Sequence, residues 1–242
     1  MTDHDPIHGA DPAPHRRKLY GRRKGKALRA TQERLMAELL PEIWVPGFAG
    51  GEAPAPLDPA ALFGGPRPLW LEIGFGGGEH LAHQAALHPE TRFIGCEPFV
   101  NGVAMLLGRI EAAGLSNVRV HPADARDLIE RLPEGSVGRV FLLYPDPWPK
   151  ARHHRRRFMN PDNLAMLARV MPSGAELRVA SDIPDYVEHA LAAVAACGAL
   201  FETVEPEAPD WSVAWSDWPG TRYEAKALKA GRTPHYLTFR RL

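Results

Sequence analysis

The chain has 242 residues, 45% of them hydrophobic, which is enough for one substantial core without requiring a second full domain. Its two cysteines, Cys96 and Cys197, lie in apolar stretches without a C-x-x-C partner, so they read as buried free thiols and argue against a disulfide framework or zinc site. No apolar run is long enough to span a bilayer and the start carries no cationic-then-apolar leader pattern, so a cytoplasmic protein is expected.

The 29 basic and 29 acidic residues cancel, but they are segregated. Residues 16–34 carry nine Lys/Arg against one acid, 150–157 carry five against none, and 222–242 carry six against one. Three basic patches on an otherwise acidic chain point to a polyanionic partner. Trp148 and Phe158 flank the central patch, a mixture suited to base stacking and backbone contacts, so nucleic acid is favoured over a membrane surface.

In chain order, residues 1–15 are polar and proline-bearing and read as disordered, and 1–35 as a whole reads as a basic, flexible extension. A helix is expected over 31–40, followed by a Gly/Pro/Ala-rich linker over 47–68, so that 36–68 forms a connecting stretch. From Leu69 to the C-terminus, short apolar runs alternate with amphipathic ones. Strands are expected at 69–73, 93–96, 118–120, 140–143 and 177–180, with helices at 79–87, 100–113, 125–131, 161–170 and 185–196. Asn160 is placed to cap the fourth of these helices ahead of Pro161. This alternation predicts an α/β fold: a mostly parallel, doubly wound, Rossmann-like sheet, with 236–239 as an added edge strand.

Two stretches carry the chemistry. The first strand runs into Leu71-Glu72-Ile73-Gly74-Phe75-Gly76-Gly77-Gly78, a glycine turn on which a ligand can approach the backbone, with Gly74 and Gly76 as cofactor-binding candidates. Such turns serve dinucleotides and S-adenosylmethionine alike, and Glu97 at the end of the second strand suits the ribose of either. Glu72 favours the sulfonium cofactor, because a carboxylate there repels a pyrophosphate but pairs with a methionyl amino group. Asp124, after the third strand, is suited to accept from an adenine amino group. The second stretch is Tyr144-Pro-Asp-Pro-Trp-Pro-Lys150, in which three prolines fix φ near −65° and hold Asp146 and Trp148 on a stiff loop.

With Glu72, the glycines, Glu97, Asp124 and the Asp-Pro-Trp-Pro-Lys run in order, the chain resembles the bacterial tRNA (guanine-N7)-methyltransferase family from about Leu69 to its C-terminus. The resemblance implies an S-adenosylmethionine-dependent methyltransferase that modifies N7 of a guanine in the tRNA variable loop; no metal is expected, since His153 and His154 are adjacent and make a poor metal pair. It assigns the cofactor to Glu72, Glu97, Asp124 and Asp146, and catalysis to Asp146. It places substrate contacts at Lys150, Asp182, Thr221, Arg222, Tyr223 and Glu224, and RNA contacts at Arg152, His153, His154, Arg155, Arg156 and Arg157. The chain departs from the family pattern at Pro98-Phe99, Pro172-Ser173-Gly174 and Ser181-Asp182-Ile183.

Local readings stand beside several of these roles. Thr221-x-x-Glu224 is also a capping-box pattern, and Asp182 is placed to cap the helix expected from Asp185. Trp211, Trp215 and Trp218 fall at helical spacing, where packing competes with base stacking. Three other functions also fit parts of the pattern: an amino-methyltransferase using an Asp-Pro-Pro-Tyr-type loop, a nicotinamide-dependent oxidoreductase and a non-catalytic RNA-binding subunit.

Overall fold

A computed structural model describes residues 19–46 and 55–242. The segment expected to be disordered and the first part of the Gly/Pro linker, 47–54, lie outside the described residues. The elements are α1 (Ala30–Glu38), α2 (Leu40–Ile43), α3 (Pro59–Phe63), β1 (Leu69–Ile73), α4 (Glu79–Leu87), β2 (Arg92–Cys96), α5 (Val100–Ala113), β3 (Val118–His121), α6 (Ala125–Arg131) and β4 (Arg139–Leu143). A short 3-10 helix (Ala151–Arg156) follows, then α7 (Pro161–Val170), β5 (Glu176–Ser181), α8 (Pro184–Ala196), β6 (Phe201–Thr203), α9 (Arg222–Lys229) and β7 (His235–Arg241).

The strands form one seven-stranded sheet in the order β3-β2-β1-β4-β5-β7-β6, parallel from β3 to β5, with β7 antiparallel to both β5 and β6. The final strand is thus not the edge. β7 is inserted beside β5, and the edge is β6, a three-residue strand too short to be read from alternation. The order reverses between β1 and β4, and ligands of open α/β sheets bind at the carboxyl ends of strands flanking such a switch point.

Alternate strand residues feed opposite layers. Leu69, Leu71, Ile73, Val140, Leu142, Leu177 and Val179 pack under α6, α7 and α8. Phe93, Val118 and Val120 face α1, α4 and α5 on the other side. On that second side, over β4, β5 and β7, Trp215 and Trp218 pack on Phe141, Leu143, Ala180 and Tyr236. The packing reading of these tryptophans holds although residues 211–218 are not helical and run through bends and a turn. Cys96 is buried, whereas Cys197 at the end of α8 is only half-buried.

The expected boundary at residue 35 falls inside α1, which lies on α5 and is pinned by Arg34 to Glu111 at 2.6 Å. The preceding basic segment also has a seat. Val100 N donates to Arg23 O at 2.9 Å, and Asn101 both accepts from Gly25 N (2.6 Å) and donates to Lys26 O (2.7 Å).

Candidate active site

A cleft of about 440 Å³, within the usual range for small-molecule sites, opens at the carboxyl ends of β1, β2 and β4. Its lining includes Gly74, Gly76, Glu97, Asp124, Tyr144, Asp146, Trp148 and Tyr223. The glycine turn makes its floor. Gly74 and Gly76 have φ of +72° and +56°, and a Cβ on Gly76 would stand 2.9 Å from the Tyr223 ring. Glu97 closes the turn from β2: its Oε2 accepts from Gly76 N at 2.8 Å and its Oε1 from Phe99 N at 2.9 Å. Burial pushes the Glu97 carboxyl up to about 7; the two backbone donors oppose that shift, and the negative charges of Asp146 and Glu72 add to it.

Asp146 stands across the cleft on the loop after β4. Two backbone positions shape that loop, Tyr144 at φ +49° and Trp148 at φ +43°, both in the left-handed region that non-glycine residues avoid. The Asp146 carboxylate is open to the cleft and has no hydrogen-bond or ion-pair partner among the described residues. The surrounding walls still remove enough water to hold its pKa above the ordinary carboxylate value. The basic N-terminal segment reaches the same mouth: Arg156 lies over the rings of Tyr20 (4.2 Å) and Trp148 (4.9 Å), and Leu19, Tyr20 and Arg22 line the cleft.

Other expected site residues are engaged elsewhere. Glu72 does not line the cleft; it is 2% exposed and bound to His80 Nδ1 at 2.7 Å. Asp124 lines the cleft but spends its oxygens on Arg126, accepting from its backbone N at 3.0 Å to cap α6 and from its guanidinium at 2.5–3.1 Å. Asp182 does not cap α8, whose first turn follows Ile183; it pairs with Arg232 Nε at 2.5 Å.

At α9 the capping box is formed, with Glu224 N donating to Thr221 Oγ1 (3.1 Å) and Thr221 N to Glu224 Oε2 (3.3 Å). Glu224 Oε1 accepts from Trp218 Nε1 (2.9 Å) and from the Tyr236 hydroxyl. Arg222 is tied to Glu79 at 2.5 Å and contacts Met105 Sδ. Of the four substrate candidates in this stretch, only Tyr223 lines the cleft, its ring stacked 6.4 Å from that of Tyr144.

The basic run divides in the same way. Lys150, Arg152 and Arg155 are exposed, and His153 and His154 are half-buried. His153 sits edge-on to Trp148 at 6.0 Å, and Arg156 is taken up by its two rings. Arg157 is 1% exposed, so its expected RNA contact is corrected: a guanidinium enclosed by protein cannot reach a phosphate. No cluster of three metal-binding side chains occurs among the described residues, and no helix among them is long and apolar enough to cross a membrane.

Residues 66–237 match the family model described as a putative methyltransferase. The tRNA (guanine-N(7)-)-methyltransferase of Paracoccus denitrificans is 58% identical, with 96% of this chain and 97% of that protein aligned. The protein of the same name from Jannaschia sp. is 55% identical, covering 96% of this chain and 98% of its own length. This chain belongs to the tRNA (guanine-N(7)-)-methyltransferase family. The solved structure of the 16S rRNA methyltransferase KamB shares the fold, with a TM-score of 0.50 at 19% identity over 73% of this chain and 88% of that one.

The family cofactor is S-adenosylmethionine, and the cleft fits it on local grounds. Two left-handed glycines put no side chain of their own on the floor, and a buried carboxylate stands at the end of β2 where ribose hydroxyls bind in folds of this kind. The sequence reading missed the contributions of Tyr20 and Arg22. They come from a segment whose composition reads as a solvated tail, and nothing local indicates that it folds back over the cleft.

Proposed function

We propose that this chain transfers the methyl group of S-adenosylmethionine to N7 of a guanine in the variable loop of tRNA, and that Asp146 is the residue at the reacting base. The observation that carries this reading is the unpartnered Asp146 carboxylate on a proline-stiffened loop, facing Glu97 and the glycine floor across one cleft.

The bound cofactor supplies an electrophilic methyl group. Guanine N7 has a lone pair and no proton, so attack requires no general base, and the chain's contribution is orientation and electrostatics. Asp146 accepts a hydrogen bond from a guanine N–H and lies beside a base that becomes cationic as the methyl group arrives. The cleft walls partly desolvate it and hold its pKa above the ordinary carboxylate value, while the residue stays exposed at the cleft mouth. Glu97 holds ribose hydroxyls while keeping the glycine turn closed through Gly76 N. Tyr223 offers a ring on the cleft side of α9 for packing against the cofactor or base.

Lys150, Arg152 and Arg155, exposed beside the mouth, supply phosphate contacts that give affinity without sequence information. The engaged states of Asp124, Asp182 and Glu224 assign them first to positioning: Asp124 fixes the start of α6 at the cofactor edge, and Glu224 fixes α9 and hence Tyr223.

The test is methyl transfer from labelled cofactor to unmodified tRNA transcripts, followed by borohydride and aniline cleavage, which breaks the strand at N7-methylguanine. Cleavage at one variable-loop guanine is expected. Incorporation without cleavage points to amino methylation and overturns the N7 reading.

A further inference from the structure

We infer that Arg157 is a positioning residue for methyl transfer, a buried guanidinium that ties the Asp146 loop to the start of α8 and does not grip RNA. It ends the basic run 150–157, which holds five Lys/Arg and no acid, and its side chain is 0% exposed. All three nitrogens of the fork make hydrogen bonds. Nε donates to Pro147 O at 2.9 Å, one residue from Asp146. Nη1 donates to Asp185 O at 3.3 Å, and Nη2 to Asp185 Oδ2 and to His154 Nε2, the latter at 3.0 Å. The guanidinium also lies over the Tyr186 ring at 5.5 Å.

This arrangement uses what distinguishes arginine from lysine, a rigid planar set of donors that joins several acceptors at fixed angles. The joined parts belong to different elements: Pro147 sits in the loop after β4, while Asp185 and Tyr186 lie in the first turn of α8 after β5. The braced loop also needs a brace. Tyr144 and Trp148 both hold positive φ, and non-glycine residues keep such conformations only where surrounding contacts impose them. The three prolines stiffen the loop internally but leave its placement over the cleft undetermined, and the bond from Arg157 to Pro147 O supplies that placement. A buried cation is costly in place of an apolar side chain, so its use here is geometric.

Arg157→Lys keeps the charge and loses the fork. At saturating tRNA and cofactor its single-turnover rate is expected to fall about 10- to 100-fold, the scale of a misplaced reacting group. Its Kd for tRNA should stay within about twofold of wild type with an unchanged salt slope, because no phosphate contact is lost. A wild-type rate overturns the inference, whether or not tRNA affinity falls. If the lysine variant does not fold, Asp185→Asn decides: its side chain is 58% exposed and its loss weakens the same clamp from the far side. The same fall in rate at unchanged tRNA affinity is expected, and wild-type turnover overturns the proposal. The inference rests on Asp146 being at the reacting base, so Asp146→Ala is measured in parallel. Turnover retained in Asp146→Ala refutes the site reading itself; loss there with normal turnover in the Arg157 and Asp185 variants refutes only the brace.

Discussion

Asp146 after β4 and Glu224 in the first turn of α9 are both carboxylates set among aromatic residues, and both carry site roles in the family resemblance. Asp146 has no partner among the described residues and faces the cleft. Glu224 accepts from Thr221 N, Trp218 Nε1 and the Tyr236 hydroxyl, so both of its oxygens are engaged. The difference is one of satisfaction. A carboxylate already accepting three hydrogen bonds contributes by holding structure, whereas one left open at the mouth of a cleft is available to a substrate.

The sharpest break of this comparison is at Asp146. Asp146→Ala should lower the single-turnover rate by roughly 10²–10³-fold or more, as for loss of a transition-state electrostatic contact, while the melting temperature hardly moves. Retained turnover would place the two carboxylates on the same structural footing.

Glu224→Ala should do the reverse. Loss of a helix cap together with buried donors left to Trp218 and Tyr236 costs about 2–4 kcal/mol, a fall of roughly 5–10 °C in melting temperature for a domain of this size. Thermal melting and turnover per folded molecule check it. Full stability with lost turnover would restore Glu224 as a substrate contact.

Glu97 extends the contrast to pH. Its carboxyl is held at about 7, and the charged form is the one that accepts from hydroxyls, so cofactor affinity should weaken about tenfold per pH unit below 7. Stability of the cofactor-free chain moves the opposite way. A folded-state pKa raised from 4.5 means that this group's contribution is full below about 4.5 and is lost as pH rises through 7. Calorimetric cofactor titrations and melts of the cofactor-free protein between pH 8 and 6 should therefore show opposite trends from this group. Glu97→Gln should remove both.

The smallest effect separates the exposed from the enclosed cations. Arg152→Ala and Arg155→Ala should each lower the slope of log affinity for tRNA against log salt by about 1, with the saturated rate unchanged. Unaltered slopes would remove the 3-10 helix from the RNA interface.

The parallel β/α core was legible in the sequence because its strands are short apolar runs buried on both faces, and the five expected strands match β1 to β5 to within a residue at each end. Glu97, Asp146 and the glycines were legible for a related reason: backbone conformation and strand ends are local properties. What was not legible depends on distant partners. His80 claims Glu72 from α4, Arg232 claims Asp182, and Asp185 with Pro147 O encloses Arg157 inside a run whose composition reads as uniformly exposed. The helical spacing of the tryptophans likewise does not say where they pack: Trp211 joins the cluster under α6 to α8, whereas Trp215 and Trp218 lie on the opposite side of the sheet.

The sequence by itself determined the class of fold, the switch-point edge and the two stretches that meet there, because apolar periodicity, glycine turns and proline restriction act over a few residues. Only the tertiary structure decided that β7 lies inside the sheet, that the basic N-terminal segment borders the cleft, and which charged groups are free. Those outcomes depend on strand pairing, ion pairing and burial between residues far apart in the chain, and the free energy of such contacts has no counterpart in local pattern.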